Sequence, residues 1–496
     1  MSTLLRDARF YGDDRRYDVY LTGGRIVRIA LKGALEPGDA ETVDLDGRFV
    51  GPGLWDEHVH FTQWVTQRSR LDLSGTGSAA DVLALVAATL RESPPPAGTA
   101  LTGYGFRDAL WPDLPTLREL DEVAGDTPVV LVSGDLHCGW LSSGAAARIG
   151  LRLDESGVLR EGPWIAALHD FDETRPGFDA YAEAASAAAR RGVVGIVDFE
   201  NADNAAEWPA RVAAGVTSLR VEASVWPGRL DAAVAAGLRT GVPLDGEHSE
   251  SGESGLVTMG RLKVIVDGSL NTRTALCWEA YPGADPLSPH ACGVATVAPE
   301  KLADLLRTAA RYGIAAAVHA IGDRANSEVI DVFERLGLPG VIEHAQLVGE
   351  HDFVRFARLG LVASVQPEHA MDDRDVADSL WAGRTGRAFA YGSLHAAGAT
   401  LRLGSDAPVA PLDPWLAIAA ATSRSRGGRE AWHPEQCLPV GVAMAASARG
   451  RTDIKEGETA DLVILDEDPL AAGPERLREM PVAGTLLGGR WTWRDL

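Results

Sequence analysis

Two imidazoles one residue apart, His58-Val59-His60, follow a short apolar run near the start of the chain. On an extended segment, side chains two apart share a face, so both rings can reach one ion. His319 closes the run Ala316-Ala317-Val318, His344 closes Val341-Ile342-Glu343, and Asp406 follows Leu403-Gly404-Ser405. Singly, each has an ordinary explanation, such as a hydrogen-bonded core histidine or an aspartate capping a helix. Together they are the side chains of a divalent-cation site. Lys263 sits in Leu262-Lys263-Val264-Ile265-Val266, where an ammonium is costly to bury unless paired or neutralised. Only four lysines occur in the chain, at positions 32, 263, 301 and 455, so a lysine here is an unusual choice. Carbamylation is one solution, in which the neutral amine captures carbon dioxide and becomes a carboxylate able to bridge two cations. A snorkelling surface lysine or an ion pair with Asp267 is the other.

These residues need a scaffold that brings strand ends to one rim. Between residues 51 and 439, apolar strand-like runs alternate with alanine-rich helical segments, the pattern of βαβ units. The strand-like runs are Arg48 to Leu54, Val193 to Phe199, Ser218 to Val225, Arg261 to Asp267, Gly313 to Ala320, Gly340 to Ala345, Gly360 to Val365 and Thr400 to Ser405. Helices are expected over Ala180 to Arg191, Pro299 to Tyr312, Asp323 to Leu336 and Glu350 to Leu359. The count predicts an α/β protein built on a (β/α)8 barrel, whose catalytic groups gather at the carboxyl ends of the strands. An open doubly wound sheet is the alternative, but no glycine fingerprint for a dinucleotide accompanies it. Leu54 and Val193 are about 140 positions apart, far more than a crossover helix needs, so an insertion is expected at about 61–178. Residues 1–50 and 440–496 both read as short strands with turns, which predicts one small β-sandwich made from the two chain ends.

Composition narrows the function. Acidic residues outnumber basic ones, 70 to 47, for a formal charge of −23, a field that repels nucleic acid and anionic membranes. The four cysteines lack paired spacing, so neither a zinc–cysteine cluster nor a disulfide framework is indicated. The first residues carry charges where a signal peptide would be apolar, and no run is long enough to span a membrane. A cytoplasmic protein with a small-molecule substrate is expected, as a monomer or a homo-oligomer.

The ordered set His58, His60, Lys263, His319, His344 and Asp406 resembles the amidohydrolase superfamily. The flanking text is similar to its family 3 branch, which includes N-substituted formamide deformylases. The matching phrases are Gly51-Pro52-Gly53-Leu54-Trp55-Asp56, Lys263 to Ser269, Val318-His319-Ala320-Ile321-Gly322-Asp323-Arg324-Ala325, Gly404-Ser405-Asp406-Ala407-Pro408-Val409 and Gly457 to Asp466. Glu57 and Lys455 depart from the family's usual choices, outside the ligand set. The resemblance implies one or two divalent ions, most often zinc. His58, His60 and Asp406 would hold the more buried ion, His319 and His344 the second, and a carbamylated Lys263 would bridge. His137, in Leu136-His137-Cys138, resembles a family position near the substrate and would polarise its carbonyl; a buried histidine bonded to backbone is the plain alternative. Gln366, at the end of the seventh strand, and the aromatic Tyr104 and Trp111 of the insertion are candidates to line the pocket.

The chemistry expected is attack by a metal-activated water on a planar carbon, since a divalent ion lowers the pKa of its water toward about 7. Asp406 would take the proton and pass it to the leaving nitrogen. An amide or formamide C–N bond is the expected target. A lactone, ester or phosphoester bond, a ring deamination and a non-catalytic metabolite-binding barrel stay open.

Overall fold

Runs rich in valine, isoleucine and alanine and buried on both faces belong in parallel sheets, and eight such runs pair side by side in this protein. The computed structural model describes residues 2–68, 70–96, 98–106, 108, 111–133, 138–160, 163–164, 167, 176–244, 255–285 and 287–496. In chain order the barrel strands are Leu54–Val59, Val193–Asp198, Arg220–Val225, Val257–Ile265, Ala316–Ala320, Val341–His344, Val362–Val365 and Thr400–Leu403, each parallel to the next. Helices including Asn204–Ala213, Pro299–Arg311, Asp323–Leu336 and Glu350–Leu359 alternate with them, as a (β/α)8 barrel requires.

The ring closes just past the eighth strand. A parallel bridge joins Val59 to Ala407. Asp406 N donates to His58 O at 2.7 Å, and His60 N donates to Ala407 O at 2.8 Å. Gly404 permits the approach, because a Cβ there would lie 2.7 Å from His58 N and 2.9 Å from His58 Cβ.

One boundary differs from expectation. The run Arg48 to Leu54 is not a single barrel strand: Phe49–Pro52 pairs antiparallel with Leu462–Leu465, and the barrel begins at Leu54. The run looked continuous because its two pieces share one composition while belonging to different sheets. Gly53 forms the crossing, where a Cβ would meet Val194 Cγ1 at 2.4 Å. His58 therefore lies within the first strand rather than after it.

Phe49–Pro52 belongs to a sheet drawn from both chain ends, with Ser2–Phe10, Asp13–Thr22, Arg25–Leu31 and Glu41–Asp44 from one end. Leu462–Leu465, Val482–Leu487 and Arg490–Arg494 come from the other. Leu5, Val19, Ile26, Val50, Leu462, Ile464 and Leu486 are buried together in its core. The chain divides into two compact units, Met1–Phe61 with Tyr181–Leu496 and, separately, Thr62–Ala180. The second unit carries its own five-stranded sheet, Leu71–Asp72, Leu101–Phe106, Val129–Ser133, Cys138–Leu141 and Val158–Arg160, with helices Ala79–Glu92 and Leu117–Ala124. Among the described residues, no helix is long and apolar enough to cross a membrane.

Candidate metal centre

The closing seam assembles the first cluster. His58 Nε2 lies 3.5 Å from Asp406 Oδ1, and His60 Nε2 lies 3.4 Å from the same oxygen. Adjacent donors around one tetrahedral ion, with bonds near 2.0–2.1 Å, stand ~3.3 Å apart, so this triad has the spacing of a cation site. His60 Nδ1, His344 Nδ1 and His369 Nε2 are buried ring nitrogens without a hydrogen-bond partner. Unsatisfied buried nitrogens are costly in a finished core and expected where an ion is to bind. The residues present therefore fit a divalent ion.

Glu343 sets the orientation of His58. Its Oε2 lies 2.8 Å from His58 Nδ1, and both groups are buried. Burial pushes the Glu343 carboxyl up, but the neighbouring His58 imidazole, its hydrogen bond and the Lys263 amine hold it below the usual value. An ionised carboxylate only accepts, so Nδ1 carries the proton and Nε2 keeps its lone pair. Gln366, 3% exposed, places Nε2 3.3 Å from the same His58 Nδ1 and backs the ring rather than reaching outward.

Lys263 is 1% exposed, with Nζ 3.2 Å from His58 Nε2 and 4.2 Å above the Phe199 ring. Burial pulls its pKa down to about 8, against the opposing pull of Glu343 and Asp406. The pairing with Asp267 does not form. Asp267 instead accepts the backbone N–H of Leu276, Ile321 and Gly322 at 2.9, 3.0 and 2.8 Å, tying the fourth-strand loop to the end of the fifth strand. An ammonium 3.2 Å from a ligand nitrogen would repel an incoming cation, so an occupied site needs Lys263 neutral or carbamylated.

His319 and His344 come together, with ring centroids 4.3 Å apart. Burial pushes His319 down to about 3 and His344 well below its ordinary value, so both stay neutral, the form that binds metal. His319 Nε2 lies 3.5 Å from both Asp267 Oδ1 and Gly268 O. His344 takes a left-handed backbone, φ 71°, as does Asp406 at φ 57°. That turn brings the His344 ring to 5.0 Å from His58 although Glu343, its immediate neighbour, already faces the same ring.

The structure thus brings together His58, His60, Lys263, His319, His344, Asp406 and Gln366. It adds two residues the sequence reading missed, Glu343 and His369. The Gln366-Pro367-Glu368-His369 text after the seventh strand was the available signal for His369. His137 lies outside the described residues. Tyr104 and Trp111 belong to the separate unit, where Tyr104 packs in the cluster of Val130 and Val132 and Trp111 rests on Phe106 at 5.5 Å. Their assignment to substrate rests on sequence alone.

A profile of the amidohydrolase family matches residues 41–492. The chain is similar to the putative amidohydrolase YtcJ of Bacillus subtilis, at 28% identity over 96% of each chain. It is 25% identical to the N-substituted formamide deformylase of Arthrobacter pascens, over 95% of this chain and 94% of that one. Among solved structures, an uncharacterized metal-dependent hydrolase from Pyrococcus horikoshii superposes with a TM-score of 0.76 at 25% identity, covering 96% of this chain and 99% of that one. With the barrel, the site at its strand ends and a family match along nearly its whole length, this chain belongs to the amidohydrolase family, as a metal-dependent hydrolase.

Proposed function

We propose that the protein hydrolyses an amide-type C–N bond, such as that of an N-substituted formamide, in a small non-peptide molecule. The observation that carries this reading is Lys263, buried with Nζ 3.2 Å from a ligand nitrogen of His58. Ring deaminases of the superfamily that the sequence resembles commonly lack a bridging lysine, so Lys263 favours amide or ester hydrolysis. The formamide deformylase relative favours the amide.

His58 and His60, with Asp406, would hold the first ion, and Zn2+ suits their nitrogen and carboxylate donors. A carbamylated Lys263, His319 and His344 are the donors offered to a second. When bound, a divalent ion supplies a Lewis acid for the carbonyl and acidifies a water. Glu343 keeps His58 in the tautomer that presents Nε2. Burial raises Asp406, but the neighbouring imidazoles of His58, His344 and His369 and the His60 hydrogen bond hold it well below its ordinary value. It is therefore an ionised base that accepts the nucleophile's proton and returns it to the leaving nitrogen. The net charge of −23 favours neutral or cationic substrates.

The test is turnover of N-substituted formamides, N-acyl amines and lactones by protein reconstituted with zinc or manganese. Formate or carboxylate release from the amides is the expected result. Turnover confined to lactones, or none at all with bound metal verified, would sink the amide reading.

A further inference from the structure

Arg449, just after the helix Val440–Ser447, reaches Glu57 on the first barrel strand and Glu222 on the third, each at 2.6 Å. Arg261 on the fourth strand joins Glu222 at 2.9 Å. Arg402 on the eighth strand lies beside this group, but both carboxylates are already engaged. Its Nη1 donates to Leu401 O and its Nη2 to Arg449 O, both at 3.1 Å, and it makes no ion pair among the described residues. Three guanidiniums share two carboxylates, so one positive charge stays uncompensated. Burial pulls Arg402 below its ordinary value; Glu57 opposes that pull, and the like charges of Arg449 and Arg261 add to it. A guanidinium carries five N–H donors in a fixed fork. With one bond to each carbonyl, Arg402 keeps donors to offer.

Arg402 lies on the wall of a cavity of about 560 Å³ at the amino end of the eighth strand, the end away from Asp406. Gly450, on the same wall, has no side chain to cover the guanidinium, since a Cβ there would lie 3.7 and 3.8 Å from its two terminal nitrogens. The rest of the lining is mostly apolar. Val442 and Ala445 come from the helix Val440–Ser447, Leu401 from the strand, and Tyr11, Pro52 and Leu470 from the two-ended sheet and its loops. Leu470 stays 42% exposed there. Of the other charged groups on the wall, Arg451 is paired with Glu458 at 2.8 Å, and Asp453 is exposed and accepts from Thr452 Oγ1 at 3.0 Å. A mostly apolar hollow of this size with a few fixed polar groups has the make-up of a small-molecule site.

We propose that this cavity binds a monocarboxylate with an apolar chain, its head on Arg402 and its tail along Val442, Ala445 and Leu470. One uncompensated positive charge matches one negative charge, and a guanidinium fork fits the two oxygens of a carboxylate. The seat lies at the opposite end of the barrel from the metal centre and is independent of the bond hydrolysed there.

Isothermal titration calorimetry of the full-length protein with octanoate tests the proposal. The wild type should bind one octanoate per chain at this seat. Octan-1-ol keeps the chain without the charge, and acetate keeps the charge without the chain; each should bind at least ~10-fold more weakly. Arg402→Gln should weaken octanoate about 10–100-fold, the loss expected for hydrogen bonds to a charged group. Arg402→Lys, which restores the charge, should recover part of the affinity. Gly441 lines the cavity, and a Cβ there would lie 3.8 Å from Leu470 Cδ2. Gly441→Phe should therefore fill the tail's path and abolish the binding while leaving Arg402 intact, and circular dichroism checks that each variant folds. No octanoate binding at millimolar concentration overturns the proposal. So does octanol binding as tightly as octanoate, or octanoate binding unchanged in Arg402→Gln or Gly441→Phe. Octanoate binding that vanishes as light scattering shows a dimer forming would give the cavity to a second copy of the chain and overturn it too.

Discussion

Glu343 and His344 are neighbours on an extended strand, where alternate side chains point to opposite faces. Read as a regular strand, only one of them could serve the barrel mouth, and the histidine was the obvious choice. The left-handed backbone at His344 breaks that alternation, so both reach His58. Such a turn is invisible in the residue types, and Glu343 was missed for that reason. His58, His60, Lys263 and Asp406 were legible because their chemistry is unusual at a strand end and the barrel period placed them at one rim. Replacing Glu343 by Gln frees the His58 tautomer, and metal affinity or kcat/KM should fall about 10–100-fold, checked by ion titration beside steady-state rates. Asp406→Asn removes the proposed proton carrier, and kcat/KM should fall by ~10²–10⁴, measured with bound metal quantified in the same samples. Lys263 gives a pH signature. Its folded pKa of about 8 lies below the unfolded value near 10.4. Between those values the unfolded chain holds a proton that the native chain does not, so stability rises with pH in that window. Relative to Lys263→Met, the metal-free wild type should gain about 3 kcal/mol from below pH 8 to above pH 10, read by urea denaturation in carbonate-free buffer.

At the scale of elements, the seam between the first and eighth strands controls the site. Asp56 Oδ1 accepts Ser405 N at 2.9 Å and His58 N at 3.2 Å, locking the two strands beside the candidate ligands they carry. The eighth strand's run to Ser405 was readable from its apolar residues, but the tightness of the seam was not, because it depends on the missing Cβ of Gly404. Gly404→Ala places a methyl against His58 and should cost about 1–3 kcal/mol through overpacking. Denaturant midpoints should fall, and first-ion affinity should fall with them. The junction at Gly53 eluded sequence reading on similar grounds. Phe49–Pro52 and Leu54–Val59 have the same β-prone composition, and only their partners, one at the far end of the chain and one in the barrel, tell them apart. Glu57, an atypical residue for the family, also has a place in this seam. It receives Arg449 at 2.6 Å, and the same guanidinium reaches Glu222 at 2.6 Å while stacking on Trp55, tying the region after the last barrel helix to the first and third strands.

For the whole molecule, the barrel and the two-ended sheet followed from run length and spacing, since eight strand-like runs with helices between them admit few packings. The unit Thr62–Ala180 was legible only as an excess of length, because its short strands lack a strong period. Ligands from strands so far apart make metal binding a property of the closed barrel. Chelation should therefore lower the barrel's melting temperature, and stabilisation by ion at 1,000 times its dissociation constant would be about 4 kcal/mol, tested by calorimetry with and without a chelator. The same seam dictates an order of events during synthesis. Asp56 and Ser405 meet across 349 positions of chain. At 5–20 residues per second, His58 and His60 are made roughly 17–70 s before Asp406. Through that interval the nascent chain offers an ion two imidazoles and no carboxylate to complete the triad. A tight hold on metal thus arrives only with the last barrel strand, making cofactor insertion a late step of biogenesis that follows translation of the eighth strand.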